Sequence, residues 1–450
     1  MRSGLVVFLA LAGIVSVAGS SLVAYAEPHA VTLEQARTAI SAGVLPATSA
    51  STRSAATWCG TPAQADLRPN ALSGYPVHWM YVLPSDAPDR FSTFASTMQT
   101  DAEAIDAWWR REDPTRTPRN DLIQLSCGPQ LDLTTLRLPQ SSAQLAVQEG
   151  RFVTLFDALL AANFRSRFTK YIVYFDGPIA DPDVCGQGAS SASGIGVAVV
   201  YVQACAGVST AAVAAHEFLH TLGAVSRSAP NNCPEPNSGH TCDSTSDLMH
   251  PFLDASPLDA KVLDPGRDDY YGHSGSFSDS QDAPWLVQLD RQQPFAVTIS
   301  GPGGVTADVP GLDCAQTCTT TWNSSTRLGL TAVPRPGAKL VRWGGACGGA
   351  STCTVEVAPG AAVSAVFAPL VFRLTATVSG RGAVRSSRAG ITCRPKCSAA
   401  FPSFVPVQLS ATPAKGWRFR SWAGACRGTK TRCTVPMTAA TSARAIFVRA

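Results

Sequence analysis

A chain of 450 residues, 45% hydrophobic and 15% charged, has more apolar sequence than one ordinary domain needs, which excludes a short peptide and a highly charged disordered chain. The net charge of +4 conceals a division: Glu27 to Pro294 carries 17 Lys+Arg against 29 Asp+Glu, a net of −12, whereas Val371 to Ala450 carries 14 Lys+Arg and no acidic side chain. After the first 26 residues no segment is apolar enough to cross a bilayer, so no stable membrane span is expected once a leader is removed.

At the N-terminus Arg2 precedes an apolar run from Leu5 to about Gly19, and Ala24-Tyr25-Ala26 reads as a small-residue cleavage site. Residues 1–26 are therefore expected to be a signal peptide and the protein to be secreted, with cell-surface association open. Residues 27–70, polar and rich in Ala, Ser and Thr, read as a propeptide or linker. In an oxidising exterior the 14 cysteines should pair. Six precede residue 290, and the simplest account joins Cys59 to Cys127 and lets Cys233 and Cys242 clamp the loop between them.

Residues 71–294 read as an α+β domain, a mixed sheet packed on long helices. "PVHWMYVLP" is an apolar strand, and "RFSTFASTMQTDAEAIDAWWRRE" has apolar residues at helical spacing before Pro114 stops it. A second helix is expected over "SAQLAVQEGRFVTLFDALLAANF", then the strand "KYIVYFD", a Cys185 to Cys205 loop with the strand "GVAVVYV", and a helix carrying HEFLH.

Two histidines four apart on a helix present both imidazoles on one face, able to grip one ion at about 2.0–2.1 Å. Glu217 falls between them, placed to take a proton from a water that the ion acidifies. Ser209 or Thr210 caps the helix, and Gly223, three residues after His220, is where it turns away. "HEFLHTLG" with "DLMHP" downstream resembles the metzincin clan of zinc endopeptidases. The resemblance implies His216 and His220 as Zn2+ ligands, Glu217 as general base, Gly223 as the turn and Met249 as the methionine beneath the metal.

The third ligand departs from that pattern. Metzincins place His or Asp three residues after the glycine, and here the position holds Ser226, a poor zinc ligand. Glu235, His240, Asp243 and Asp247 lie between Gly223 and Met249, and His240 is preferred, because imidazole is a common zinc ligand and the Cys233–Cys242 loop would hold it. Asp243 and Asp247 are the alternatives, and Glu235 is disfavoured because "CPEPNSG" is no helix. In "DPGRDDYYGHSGSFSDSQDAPW", Tyr270, Tyr271 or His273 could serve an oxyanion, but the preferred reading is structural, with Asp268 and Asp269 in a turn or calcium loop. "WCGTP" resembles the zinc-capping cysteine segment of matrixin propeptides, a role that pairing of Cys59 would remove.

The last third repeats itself. Cys314, Cys318, Trp343 and Cys347 recur 79 residues on as Cys393, Cys397, Trp422 and Cys426, and Cys353 and Phe367 recur 80 on as Cys433 and Phe447. Alternating runs such as "LGLTAV" and "VQLSAT" make residues 295–370 and 371–450 two small β-modules. Close spacing favours Cys314–Cys318, Cys347–Cys353, Cys393–Cys397 and Cys426–Cys433, with other connectivities open. The pattern resembles divergent bacterial repeat domains, which act as spacers or adhesion units.

The expected protein is a secreted zinc endopeptidase acting on a protein or peptide, followed by two stapled repeats. The second repeat is suited to an anionic cell-surface polymer, or merely has a solvated basic surface; nucleic acid is not expected. The rival functions are a zinc amide hydrolase on cell-wall substrates and a surface adhesin with a degenerate, non-catalytic metallopeptidase domain.

Overall fold

The computed structural model describes residues 42–45, 57–62, 74–146, 150–179, 181–191, 194–349, 352–388, 390–394 and 396–450, with residue 396 as backbone only. The leader and most of residues 27–70 lie outside them. Strands outnumber helices throughout, in many small sheets.

In the N-terminal part β1 (Val77–Leu83) leads into α1 (Phe91–Glu112), whose last turn carries Arg110 and Arg111 where cations suit the helix dipole. Four short strands follow: β2 (Arg116–Pro118), β3 (Leu122–Leu125), β4 (Gly128–Leu131) and β5 (Leu133–Arg137). The helix expected over residues 142–164 is two helices, α2 (Ser142–Ala146) and α3 (Arg151–Ala161), because Gly150 takes φ +77° ahead of α3, a left-handed conformation that interrupts a helix. Then come β6 (Lys170–Phe175), β7 (Gly186–Ser190), β8 (Gly196–Tyr201) and α4 (Thr210–Leu222).

The sheet order is β5-β1-β6-β8-β7, with β5, β1, β6 and β8 parallel and β7 antiparallel at one edge. Its central strands are buried on both faces, as parallel strands flanked by helices must be. Alternation divides them: Trp79, Tyr81, Ile172 and Val200 pack with α1 and α4, while Met80, Val173, Phe175 and Val199 pack with Leu155 and Leu159 of α3. Leu45 and Trp58 join the first of these cores, and Cys59 is bonded to Cys127, so these described parts of the 27–70 segment are built into the domain.

After β9 (Leu286–Gln288) each module is a pair of four-stranded sheets with its own core. The first has orders β13 (Cys318–Asn323), β10 (Gln292–Ser300), β17 (Ala362–Pro369), β15 (Ala338–Gly345) and β12 (Asp313–Cys314), β11 (Gly303–Ala307), β14 (Arg327–Pro334), β16 (Cys353–Glu356). The second has β21 (Lys396–Pro402), β18 (Val371–Ser379), β25 (Thr441–Arg449), β23 (Trp417–Gly424) and β20 (Thr392–Cys393), β19 (Gly382–Ser386), β22 (Val407–Pro413), β24 (Arg432–Val435), the same topology shifted by eight strands. Gly301 and Gly380 show why the repeat keeps glycine. Both have positive φ, and a Cβ would lie 2.1 Å from the Phe367 carbonyl oxygen at one and 2.3 Å from that of Phe447 at the other.

The first module sits against the N-terminal domain. Arg119 Nη2 donates to Asn323 Oδ1 at 2.8 Å, Asn323 Nδ2 donates to the Leu286 carbonyl at 2.8 Å, and Tyr75 and Phe168 pack against the first module's core. Burial holds the Arg119 guanidinium down to about 10. Between modules, Ser403 N donates to the Leu370 carbonyl and Ser403 Oγ to that of Gly337.

Candidate metal centre

Helix α4 starts and ends as its sequence dictates. Ser209 is extended and its side chain accepts from Ala212 N, while Gly223 closes the helix at φ +100°. Asp101 on α1 ties down the start of α4: its Oδ2 accepts from Thr210 Oγ1 at 2.6 Å and from Tyr174 OH at 2.7 Å. Helix α4 can lie close along the edge strand because β7 is glycine-rich. A Cβ on Gly188 would stand 2.3 Å from the Glu217 carbonyl oxygen, and one on Gly186 would stand 2.7 Å from Glu217 Oε1. The sequence reads as a loop there and hides β7, because GQGAS has no apolar alternation and no β-branched or aromatic residue.

His216, His220 and His240 converge, with ligand atoms all within 4.8 Å of one another. Nε2 of His220 is 3.2 Å from Nε2 of His216 and 3.2 Å from Nε2 of His240. Each opposite ring nitrogen faces a backbone carbonyl: His216 Nδ1 faces Leu248 O at 2.7 Å, His220 Nδ1 faces Ala224 O at 2.8 Å, and His240 Nδ1 faces Asn237 O at 3.1 Å. A carbonyl can only accept, so Nδ1 carries the proton and Nε2 presents a lone pair. Burial, then the neighbouring imidazoles, holds His216 well below the usual histidine range; burial and His240 lower His220 to about 4, and burial lowers His240.

Three neutral acceptors therefore face one another with no donor between them. Three nitrogens bound tetrahedrally to one ion at about 2.0–2.1 Å stand about 3.3 Å apart, which the 3.2 Å contacts match. The donor set, its spacing and its protonation fit a zinc ion. Glu217, on α4 between His216 and His220, is buried, and desolvation pushes its carboxyl up to about 8.

His240 is placed by its loop. The Cys233–Cys242 disulfide closes it, Cys233 N donates to the His240 carbonyl at 2.8 Å, and Thr241 N donates to Met249 O at 3.0 Å. Asp247 serves the same loop. Its Oδ2 accepts from Thr241 Oγ1, and its Oδ1 accepts from Tyr270 OH and Met249 N, so it supports the turn and points its oxygens away from ligand duty. Asp243 and Glu235 are exposed, Glu235 facing Arg227, and Ser226 Oγ meets Ser228 Oγ. Met249 is fully buried in the core that includes α4.

The downstream tyrosines are structural. Tyr271 OH donates to Asp113 Oδ2 and accepts from Trp109 Nε1, and Tyr270 OH accepts from Asp264 N while bonded to Asp247. Asp264, Asp268 and Asp269 cluster, yet Asp264 accepts four successive backbone N–H groups, from Asp268 to Tyr271, and Asp269 accepts from Asn231, as in a turn. His273 stacks on Phe277 within its own loop. His78 lies between Asp121 and Thr134 at 2.8 and 2.7 Å, a nucleophile-like trio that is sealed in the core. What the sequence did not show is the carbonyl shell of Leu248, Ala224 and Asn237, because any residue supplies a carbonyl.

Residues 301–370 and 397–450 match the family described as divergent InlB B-repeat domain. No curated protein matches the chain. Among solved structures the Bacillus anthracis TIE protein is similar at 8% identity and TM-score 0.24, covering 35% of this chain and 33% of that one, so the chain spans about a third of its length. OgpA from Akkermansia muciniphila is similar at 11% identity and TM-score 0.27 over 83% of this chain and 98% of that one, and a Streptococcus pyogenes major pilin (T-13) at 9% and 0.19 over 36% and 97%. Likenesses at such TM-scores carry no argument here.

Proposed function

We propose that residues 71–294 form a secreted, metzincin-type zinc endopeptidase. The observation that carries this reading is the convergence of the Nε2 atoms of His216, His220 and His240, with the buried Glu217 on the same helix as two of them. His216, His220 and His240 hold the ion. When bound, zinc supplies Lewis acidity toward a water and a peptide carbonyl. Glu217 takes the proton of the attacking water and hands it to the departing amine nitrogen, and its dry setting suits a base that must move a proton both ways. The Met249 turn keeps His216 in its tautomer through the Leu248 carbonyl. Seven disulfides support an extracellular setting, and among the described residues no helix is long and apolar enough to cross a membrane.

The test is metal content together with activity on a mixed peptide library. One zinc per chain is expected, His240→Ala should lose it, and Glu217→Gln should keep it while activity drops about 10²–10⁴-fold. Protein that takes up no zinc, or a fully active Glu217→Gln, would overturn the reading.

A further inference from the structure

The two modules share topology, disulfides and core, yet differ in charge in a way the fold does not require. Residues 295–370 carry four Lys+Arg and three Asp+Glu, whereas residues 371–450 carry fourteen and none. Every described cation of the second module is exposed, and none makes an ion pair among the described residues. Such a surface repels itself at some cost to the compact state.

The strand register shows where the charge was placed. Across the sheet β20-β19-β22-β24 one outward row reads Thr392, Arg385, Ser410, Arg432, in register. The neighbouring Val384 and Leu409 are buried, so this row faces solvent. The same row of the first module reads Asp313, Thr306, Thr331. On the other sheet, the row Thr298, Ser364, Gly344 becomes Thr377, Arg444, Ala423. Both faces of the sandwich have gained guanidinium groups beside hydroxyls at positions the fold leaves free.

We infer that the second module is a binding surface for a linear acidic polysaccharide, which it grips through Arg385 and Arg432 on one face and Arg444 on the other. Arg385 and Arg432 are two strand spacings apart, about 10 Å. That separation suits a polymer with one carboxylate per disaccharide and is wide for duplex DNA, whose phosphates recur every 3.4 Å or so along each strand. A lipid surface would call for apolar groups able to insert. The exposed Val371 and Phe404 instead sit at the end joined to the first module, beside Leu370 and Ser403. The hydroxyls in each row can bond sugar oxygens between the charges.

The full-length protein should bind hyaluronate, which carries one carboxylate per disaccharide, and not neutral dextran, with an affinity that falls steeply as salt rises. Arg385→Glu with Arg432→Glu should weaken binding on the order of tenfold and flatten the salt dependence, since fewer counterions are displaced. Lys339→Glu with Arg342→Glu, the same reversal in the first module, should leave binding unchanged. Thermal melts of all variants show whether each has folded, and a third pair, Arg385→Gln with Arg432→Gln, removes charge without adding any. Equal binding to dextran, indifference to the second-module substitutions, or tighter binding to duplex DNA or phosphatidylglycerol vesicles would each overturn the assignment.

Discussion

The N-terminal domain and the tandem modules are held together by opposite means. The domain relies on single, long-range contacts: Trp109 Nε1 reaches Tyr271 across 162 residues, Tyr174 reaches Asp101 across 73, and His216 reaches the Leu248 carbonyl across 32. The modules rely on contacts made twice, their long strand pairings stapled by local disulfides that span four and six residues in one and four and seven in the other. Loss of one contact therefore has different consequences. In the domain it should reach the site, and in a module it should stay where it was made.

Disulfides give the sharpest contrast. Cys233→Ser with Cys242→Ser frees the loop that presents His240, and zinc affinity should fall about 10–100-fold, as when other outer supports of a metal ligand are removed. Stability should fall by about 2–3 kcal/mol from the reopened loop. Cys426→Ser with Cys433→Ser should destabilise the second module and leave zinc affinity as it was. Equal losses of zinc in the two variants, read by competition with a chromogenic chelator, would break the comparison. Glycines provide a smaller test. Gly301→Ala and Gly380→Ala place a methyl against the equivalent carbonyls of Phe367 and Phe447, so each should cost about 1–3 kcal/mol, Gly380→Ala somewhat more because its methyl also meets Trp417. Gly188→Ala pushes on the Glu217 backbone and should lower peptidase turnover while zinc stays bound.

What was legible in the sequence follows the same division. The modules repeat, so their strands were legible and spacing favoured local cysteine pairs among the open connectivities, and four close pairs form as expected. In the domain, HEFLH and the capping residues Ser209 and Gly223 were readable because helix geometry fixes them within one turn. His240 was reached by ligand chemistry and its cysteine clamp, and the structure brings it to the other two histidines. The edge strand β7 was not readable, nor were the supporting carbonyls or the burial of Trp58 against Phe91. Those depend on what tertiary packing brings near, and no local pattern encodes it. The break at Gly150 was visible as a residue and misread because the apolar spacing runs on through it.

Asp101 gives the last and smallest contrast, through pH. It joins α1 to the start of α4, the helix that carries His216 and His220, and burial raises its carboxyl to about 6 despite hydrogen bonds from Thr210 and Tyr174 that pull the other way. Between about pH 4 and 6 the folded state then binds more protons than the unfolded chain, so the Asp101 contribution is fully present below about pH 4 and is lost as pH rises through about 6. Asp101→Asn does not titrate and keeps an oxygen for both hydroxyl donors. Urea midpoints of the two proteins should therefore draw apart across this window, the parent losing about 2 kcal/mol relative to the variant by pH 7. The second module has no acidic side chain, so its own unfolding step should show no such trend. A difference between parent and variant that stays flat from pH 4 to 7 would mean that the Asp101 carboxylate is as comfortable folded as unfolded. The polar link at the head of α4 would then be an ordinary hydrogen bond rather than a strained one.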